Sequence, residues 1–373
     1  MKKLEKKINA GLLVITILIM ACNNSTTETK EIKVGVLMSL TGSSATYGQA
    51  TKKGIDLARE EINADSSYKV KFSLVTEDDR SVPNSAASAT QKMISADKVK
   101  VIIGSFPSSC TIAAASVAEK NKVILISPGS SNPNITNFGD YIFRNWISDI
   151  YEGNVMAEFL YNQGIRKAAI LYIKNDYGDG LNGVFSIRFA ELGGTIISSN
   201  AFQQDATDLR THLTKINGEK PEVIYLVGYY KEMSQILNQS AQLNIHFPIY
   251  SSVCFEDNEL LKIAGKNAEG VIYTTPYFDI NDSSSAFIRF KKSYFAKYTE
   301  DPDVYAAHGY DAMRIIADAI NKEGNDADKV KNYLYGLKDY RGVSGNTTFD
   351  QNGDVIKPVM LKIVKDGKFE ILK

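Results

Sequence analysis

Residues 99–130 read VKVIIGSFPSSCTIAAASVAEKNKVILISPGS, and the fold follows from how this stretch divides. VKVIIG (99–104) and VILIS (123–127) are almost unbroken apolar runs, rich in β-branched residues and too short for helices. Strands covered on both faces of a sheet have this character. Between them residues 111–120 read as a helix, so the unit is strand, helix, strand, with the two strands parallel. Each run ends in a loop of hydroxyl-bearing and small residues, GSFPSSCT at 104–111 and SPGSSNP at 127–133.

The same alternation extends in both directions. Upstream, 33–39 (KVGVLMS) and 69–76 read as strands, with helices at 48–64 and 84–96. Downstream a second series places strands at 168–173, 195–202, 223–227, 248–252 and 270–274. Helices near 150–163, 178–192, 208–217, 231–243 and 257–264 separate them. In the first of these helices Val155, Met156, Phe159 and Leu160 form a stripe suited to packing on a sheet. Three helical segments then follow in a row (284–298, 304–322, 326–336), and DQNGD at 350–354 supplies a hairpin turn. Two consecutive α/β series imply an α/β protein of two doubly wound parallel-sheet lobes, each with its ligand-facing edge at the C-terminal ends of its strands. The loop after the first strand of each series carries a Tyr-Gly pair just before its helix, Tyr47-Gly48 and Tyr177-Gly178, so a tyrosine is expected on each side of a shared cleft.

Composition narrows the function classes. The 373 residues carry 43 basic and 43 acidic side chains, but residues 1–21 have the form of an export signal. The apolar run AGLLVITILIMA (10–21) spans about 18 Å as a helix, short of the ~30 Å hydrocarbon core, which suits a signal peptide and not a membrane span. Ile19-Met20-Ala21-Cys22 resembles a bacterial lipobox, making Cys22 the expected lipidated first residue; ordinary cleavage with Cys22 as a spare thiol is the alternative. Residues 22–31 then form a polar tether. Without residues 1–21 the chain keeps 39 basic and 42 acidic groups, net −3. That balance lacks the positive field nucleic acids require. Cys110 and Cys254 are 144 positions apart with no zinc spacing, so no metal is expected, and two free thiols are the simplest reading.

The two hydroxyl-rich loops are the chemical signal. A helix N-terminus offers unpaired N–H groups and partial positive charge, so Ser108 and Ser109 at one helix start, beside Gly129, Ser130 and Ser131 at the adjacent strand end, can hold a small carboxylate without arginine. Capping and turn formation are the plainer roles for the same serines.

At these residues the chain resembles the leucine/isoleucine/valine-binding proteins, type I periplasmic solute-binding proteins of ABC importers. The matching segments are KVGVLMSLTGSSATYGQ, TEDD, VIIGSFPSSCT, VILISPGSSNP, NDYGDGL, VGYYKEMSQ and IAGKNAEG, in order from residue 33 to residue 270. The resemblance implies a flytrap, two lobes joined by three crossing strands near 144–146, 275–277 and 344–349. Lobe one would comprise 32–145 with 277–344, and lobe two 146–276 with 345–373. It implies that Ser108 and Ser131 bind the ligand carboxylate with backbone help at Gly129, and that Tyr47, Tyr177 and Tyr229 wall the cleft. Where amino-acid binders of the family carry an acidic residue for the α-ammonium, this chain aligns Val253. Glu256 and Asp149 are candidate substitutes, each with a plainer role at a helix start; otherwise the ligand lacks an amine. Trp146 at the first crossing and Phe106 complete the expected contacts. The implied function is a monomeric, lipid-anchored component that captures a small carboxylate and delivers it to an ABC permease. A sensory receptor of the same fold, or a binder of aromatic or keto acids, are the alternatives.

Other signals are weaker. Gly178, Gly180 and Gly183 fit GxGxxG, but four residues intervene after the strand, so no dinucleotide cofactor is expected. GxSxG and HExxH are absent and His212, His246 and His308 are scattered, so no nucleophile with its base can be assembled and no enzyme activity is expected. Asp350, Asn352 and Asp354 imitate a calcium loop without its distal glutamate.

Overall fold

The computed structural model describes residues 31–372. The signal segment and Cys22 lie outside the described residues. Glu31, assigned to the tether from sequence, already opens the first strand.

The first lobe begins with β1 (Glu31–Met38), α1 (Ala45–Ala64), β2 (Lys71–Asp78), α2 (Pro83–Ser95), β3 (Val101–Gly104), α3 (Ser108–Lys120), β4 (Ile124–Ser127) and β5 (Ile142–Arg144). The strands form one parallel sheet in the order β2-β1-β3-β4-β5. VIIG of β3 and ILIS of β4 are buried at every position, which follows from helices covering both faces. The second series supplies α4 (Asp149–Asn162), β6 (Lys167–Ile173), α5 (Asp176–Glu191), β7 (Thr195–Phe202), α6 (Arg210–Glu219) and β8 (Val223–Val227). It continues through α7 (Tyr230–Gln242), β9 (Ile249–Ser251), α8 (Asn258–Ala264) and β10 (Ile272–Pro276). The chain then returns to the first lobe as α9 (Ser285–Tyr298), α10 (Val304–Glu323) and α11 (Ala327–Tyr335), with α10 packed along α1.

The C-terminal segment departs from the sequence reading. A short antiparallel ribbon of β11 (Tyr340–Gly342) and β12 (Gly345–Thr347) precedes the 350–354 turn, which is closed by a single bridge between Phe349 and Val355. This region stays with the first lobe: Phe349 packs edge-on against Phe143, and Asp354 pairs with the buried Arg144 at 2.5 Å. Only at β13 (Val359–Lys365) and β14 (Lys368–Ile371) does the chain rejoin the second sheet, where both strands run antiparallel. The order there is β14-β13-β10-β9-β8-β6-β7. The last crossing therefore falls near 356–358 and not at 344–349, because the Arg144–Asp354 pair and the Phe143 contact hold residues 349–354 to the end of β5. Among the described residues no helix is long and apolar enough to cross a membrane.

Candidate functional site

The strand ends of the two lobes face each other, and the Tyr-Gly pairs show how each sheet brings close the helix that follows β1 or β6. A Cβ at Gly48 would lie 2.1 Å from the carbonyl oxygen of Ser39, and one at Gly178 would lie 1.9 Å from that of Ile173. Glycine in each pair lets a helix start sit on the preceding strand end, and the neighbouring tyrosine is thereby aimed into the gap.

On the first-lobe side, Ser108 is the first residue of α3 and its hydroxyl caps nothing in that helix. Instead Oγ accepts the N–H groups of Ser131 (3.3 Å) and Asn132 (3.2 Å), tying the two hydroxyl loops together. Ser109 reaches across the gap and accepts the N–H of Asp176 at 3.1 Å. Ser130 has a different task. Its hydroxyl bonds Thr111 Oγ1 at 2.6 Å and the carbonyl of Phe106 at 2.9 Å, so it braces the loops and does not line the cavity. Beneath them the buried Asp79 accepts the hydroxyls of Ser39 and Ser105; burial pushes its carboxyl up despite those bonds.

On the second-lobe side Tyr177 and Tyr229 stack at 5.8 Å, and on the first-lobe side Tyr47 stacks on Phe106 at 5.0 Å. Trp146, at the first crossing, stacks on Tyr305 at 5.7 Å. Two phenols bind backbone carbonyls of the turn after β9: Tyr47 Oη donates to Cys254 (2.7 Å) and Tyr305 Oη to Val253 (2.8 Å). Tyr47 also accepts the N–H of Tyr230 at 2.9 Å, and Thr46 donates to Asp257 at 2.5 Å. Burial raises the phenols of Tyr47, Tyr177, Tyr229 and Tyr305 well above their ordinary value, so they act as neutral donors. The lobes are thus clasped shut. Between them remains a cavity of about 10 Å³ whose wall includes Phe106, Ser108, Gly129, Ser131, Trp146, Tyr177, Tyr229 and Val253. That is room for about one water, so a larger ligand enters only when the tyrosine clasp opens. A roomier groove of about 760 Å³ on the outer face of the first lobe, near Arg314 and Arg341, does not touch this gap.

The family described as periplasmic binding protein matches residues 31–368. This chain belongs to the periplasmic binding protein family. Its structure is similar to that of a leucine-binding protein LivK from Thermotoga maritima, with a TM-score of 0.87, 32% identity, and 92% of this chain and 98% of that chain covered. It is also similar to LivJ from Streptococcus pneumoniae, a branched-chain amino acid transporter substrate-binding protein in complex with isoleucine. There the TM-score is 0.85 and the identity 30%, over 91% of this chain and 98% of the other. Among curated relatives, Leu/Ile/Val-binding protein homolog 1 of Brucella suis is 29% identical over 353 residues, 92% of this chain and 94% of its own.

Within this periplasmic binding protein, the residues weighed as acidic substitutes for Val253 separate clearly. Val253 lines the cavity and carries no charge. Glu256 lies off the wall: its carboxylate pairs with Lys362 at 2.6 Å and accepts Tyr273 Oη at 3.1 Å, so it has a cation already and is a poor candidate for ligand contact. Asp149 is the first residue of α4, but Ser148 and not Asp149 caps that helix. Asp149 is fully buried with the Ser131 side chain beside its carboxylate, yet no hydrogen bond of full geometry reaches either oxygen. Sequence reading missed Glu152, one turn further along α4. Its Oε1 accepts the N–H of Val253 and the hydroxyl of Thr274, both at 2.8 Å, while Oε2 is buried without a partner. It also missed Tyr305 and Cys254 on the cleft. Burial drives Asp149 up to about 7, offset by the Ser131 hydroxyl and Arg144, and drives Glu152 up to about 8, with Asp149 adding to it. Cys110 and Cys254 are both buried free thiols.

Proposed function

We propose that this chain is the exported solute-binding component of an ABC importer, held at the membrane by a lipid on Cys22, and that it captures a small carboxylate by closure of its two lobes. The observation that carries the reading is the shared cavity: uncharged hydroxyls and the start of α3 on one wall, stacked tyrosines on the other, and a hinge tryptophan between. Neutral donors at a helix start suit a carboxylate, and aromatic walls suit an apolar ligand body. No pairing of a nucleophile with a base occurs there, which favours binding over catalysis. LivK as a leucine-binding protein and LivJ with isoleucine favour an apolar amino acid. Contacts from both lobes exist together only in the closed form, so ligand selects closure.

Val253 on the cavity wall favours a second reading, a carboxylic acid without an amine. Isothermal titration calorimetry of the mature chain against L-leucine, L-isoleucine, L-valine, benzoate and 4-methylpentanoate decides between them. Binding of none of these acids would remove the carboxylate reading. Mass spectrometry of the membrane fraction for a lipid-bearing N-terminal Cys22 tests the anchor, and an unmodified thiol there would exclude it.

A further inference from the structure

Helix α9 reads SAFIRFKKSYFAKY and carries four cations and no acid. Its inner face, Phe287, Phe290 and Tyr294, is buried in the first lobe. The outer face of a helix packed in this way is ordinarily polar. Here Ile288 and Phe295, two turns apart on one side, are 54% and 53% exposed, and α9 is the one described helix that leaves two large apolar side chains in water. Beside them the surface dips into a groove of about 410 Å³ with Phe287 in its wall. With about 3.6 residues per turn, the outward arc of α9 runs Lys291, Phe295, Ile288, Lys292, Ala296, Arg289. The apolar pair thus stands between cations. Lys291 is spent on Asp301 at 3.7 Å and Lys297 on Glu60, whereas Arg289 and Lys292 are exposed and form no ion pair among the described residues. An apolar strip flanked by cations is the pattern of a helix face that lies on a membrane. Its apolar groups enter the boundary between headgroups and acyl chains, while lysine and arginine reach back to anionic headgroups.

The point where the chain enters the fold lies at the same end of the first lobe. Glu61 in the last turn of α1 and Asp65 just after it line the outer groove together with Arg289, Lys292 and Ala296. Lys71, six positions beyond Asp65, is the register partner of Glu31 at the start of β1. The nine residues from Cys22 to Lys30 span at most about 30 Å, so a lipid on Cys22 would hold this end of the lobe near the bilayer.

We propose that the outer face of α9 rests on the membrane surface, with Ile288 and Phe295 at the headgroup boundary and Arg289 and Lys292 on anionic phospholipid headgroups. The inference rests on the Cys22 anchor proposed above, which supplies proximity. A tether alone limits distance, and this second contact fixes orientation. The first lobe then lies against the bilayer while the cleft stays free to close, because α9 contributes no residue to the cavity wall.

The test uses the mature chain in two forms, lipidated at Cys22 and as Cys22→Ser, on vesicles of phosphatidylcholine alone or with about 30% phosphatidylglycerol. In co-sedimentation the Cys22→Ser chain should partition about tenfold more strongly onto the anionic vesicles. Ile288→Ser with Phe295→Ser, or Arg289→Gln with Lys292→Gln, should each lower that partition about tenfold or more, since one cation at such a surface contributes about fivefold. All four side chains are exposed, so melting temperatures should stay at the wild-type value. In the lipidated chain Phe295→Trp adds an exposed indole, the single native tryptophan, Trp146, being buried. Brominated lipid should quench it on anionic vesicles and should leave Ile187→Trp, at a site 64% exposed on the second lobe, unquenched. Equal or undetectable partition onto the two vesicles, double variants that partition like wild type, or equal quenching from positions 187 and 295 overturns the inference. Photo-crosslinking from position 288 to a membrane protein, without quenching at 295, gives the face to a protein partner and overturns it as well. An unmodified Cys22 in cells removes the anchor reading alone, because the Cys22→Ser partition still decides whether the α9 face holds lipid.

Discussion

Ser108 joins two tasks in one hydroxyl: it accepts two buried backbone N–H groups, and its own proton is free for a ligand oxygen. The double variant Ser108→Ala with Ser131→Ala is expected to weaken carboxylate binding by well over tenfold, since each charge-assisted hydrogen bond contributes about 1.5–3 kcal/mol. Unfolding should cost about 1–3 kcal/mol less in the variant, because the N–H groups of Ser131 and Asn132 lose their acceptor. Calorimetry and urea denaturation measure the two effects separately, and unchanged affinity would remove the serine clamp. These serines were legible because hydroxyls gathered at adjacent strand ends are a local pattern. Glu152 was not. On an amphipathic helix a first-turn glutamate reads as a solvated residue favoured by the helix dipole, and only the fold turns that position inward toward Val253. Glu256 misled in the opposite sense, because Lys362, which neutralises it, arrives from 106 positions away.

The helices show the same division between local and distant causes. The alternation of apolar runs and amphipathic stretches located nearly every strand and helix of the parallel core, because each pattern is set within a window of ten residues. The helix read as starting at 111 begins instead at Ser108, with Pro107 held in extended backbone at its N-cap. The antiparallel β13 and β14 were invisible, since nothing within 359–371 says which sheet edge it joins. Equally unreadable was the crossing of α1 and α10, where Gly54 and Gly309 let the backbones meet. A Cβ at Gly54 would lie 1.9 Å from the Ala306 carbonyl oxygen, and one at Gly309 would lie 2.3 Å from that of Thr51. Gly54→Ala should therefore destabilise the chain by about 1–3 kcal/mol through overpacking, despite the ~1 kcal/mol that alanine normally gains in a helix. Gly218→Ala in α6, with nothing within 4 Å of its Cβ, should instead be neutral or slightly stabilising. Urea midpoints that move alike in the two variants would refute the close-packed crossing.

At the scale of the whole molecule, the buried acids set how stability follows pH. Asp149 and Glu152 are raised by burial to about 7 and about 8, and burial also raises Asp79, Glu232 and Asp311. A carboxyl whose folded pKa exceeds its unfolded value binds its proton more tightly when folded, so the folded state is favoured at low pH and loses ground as pH rises through that window. His308 opposes this, because burial lowers its pKa and stability recovers as pH climbs through the ordinary histidine range. Lys357, lowered by burial to about 8, acts in the same sense as His308 but only above that value. Several acids against one histidine leave a net fall between about pH 5 and pH 8. The melting temperature of the ligand-free chain should drop across that range, with a shallower drop in Glu152→Gln, which removes one of the strongly raised acids. A flat profile in the free chain, unchanged by Glu152→Gln, would mean that the carboxylates behind Val253 meet water and have ordinary affinities for protons.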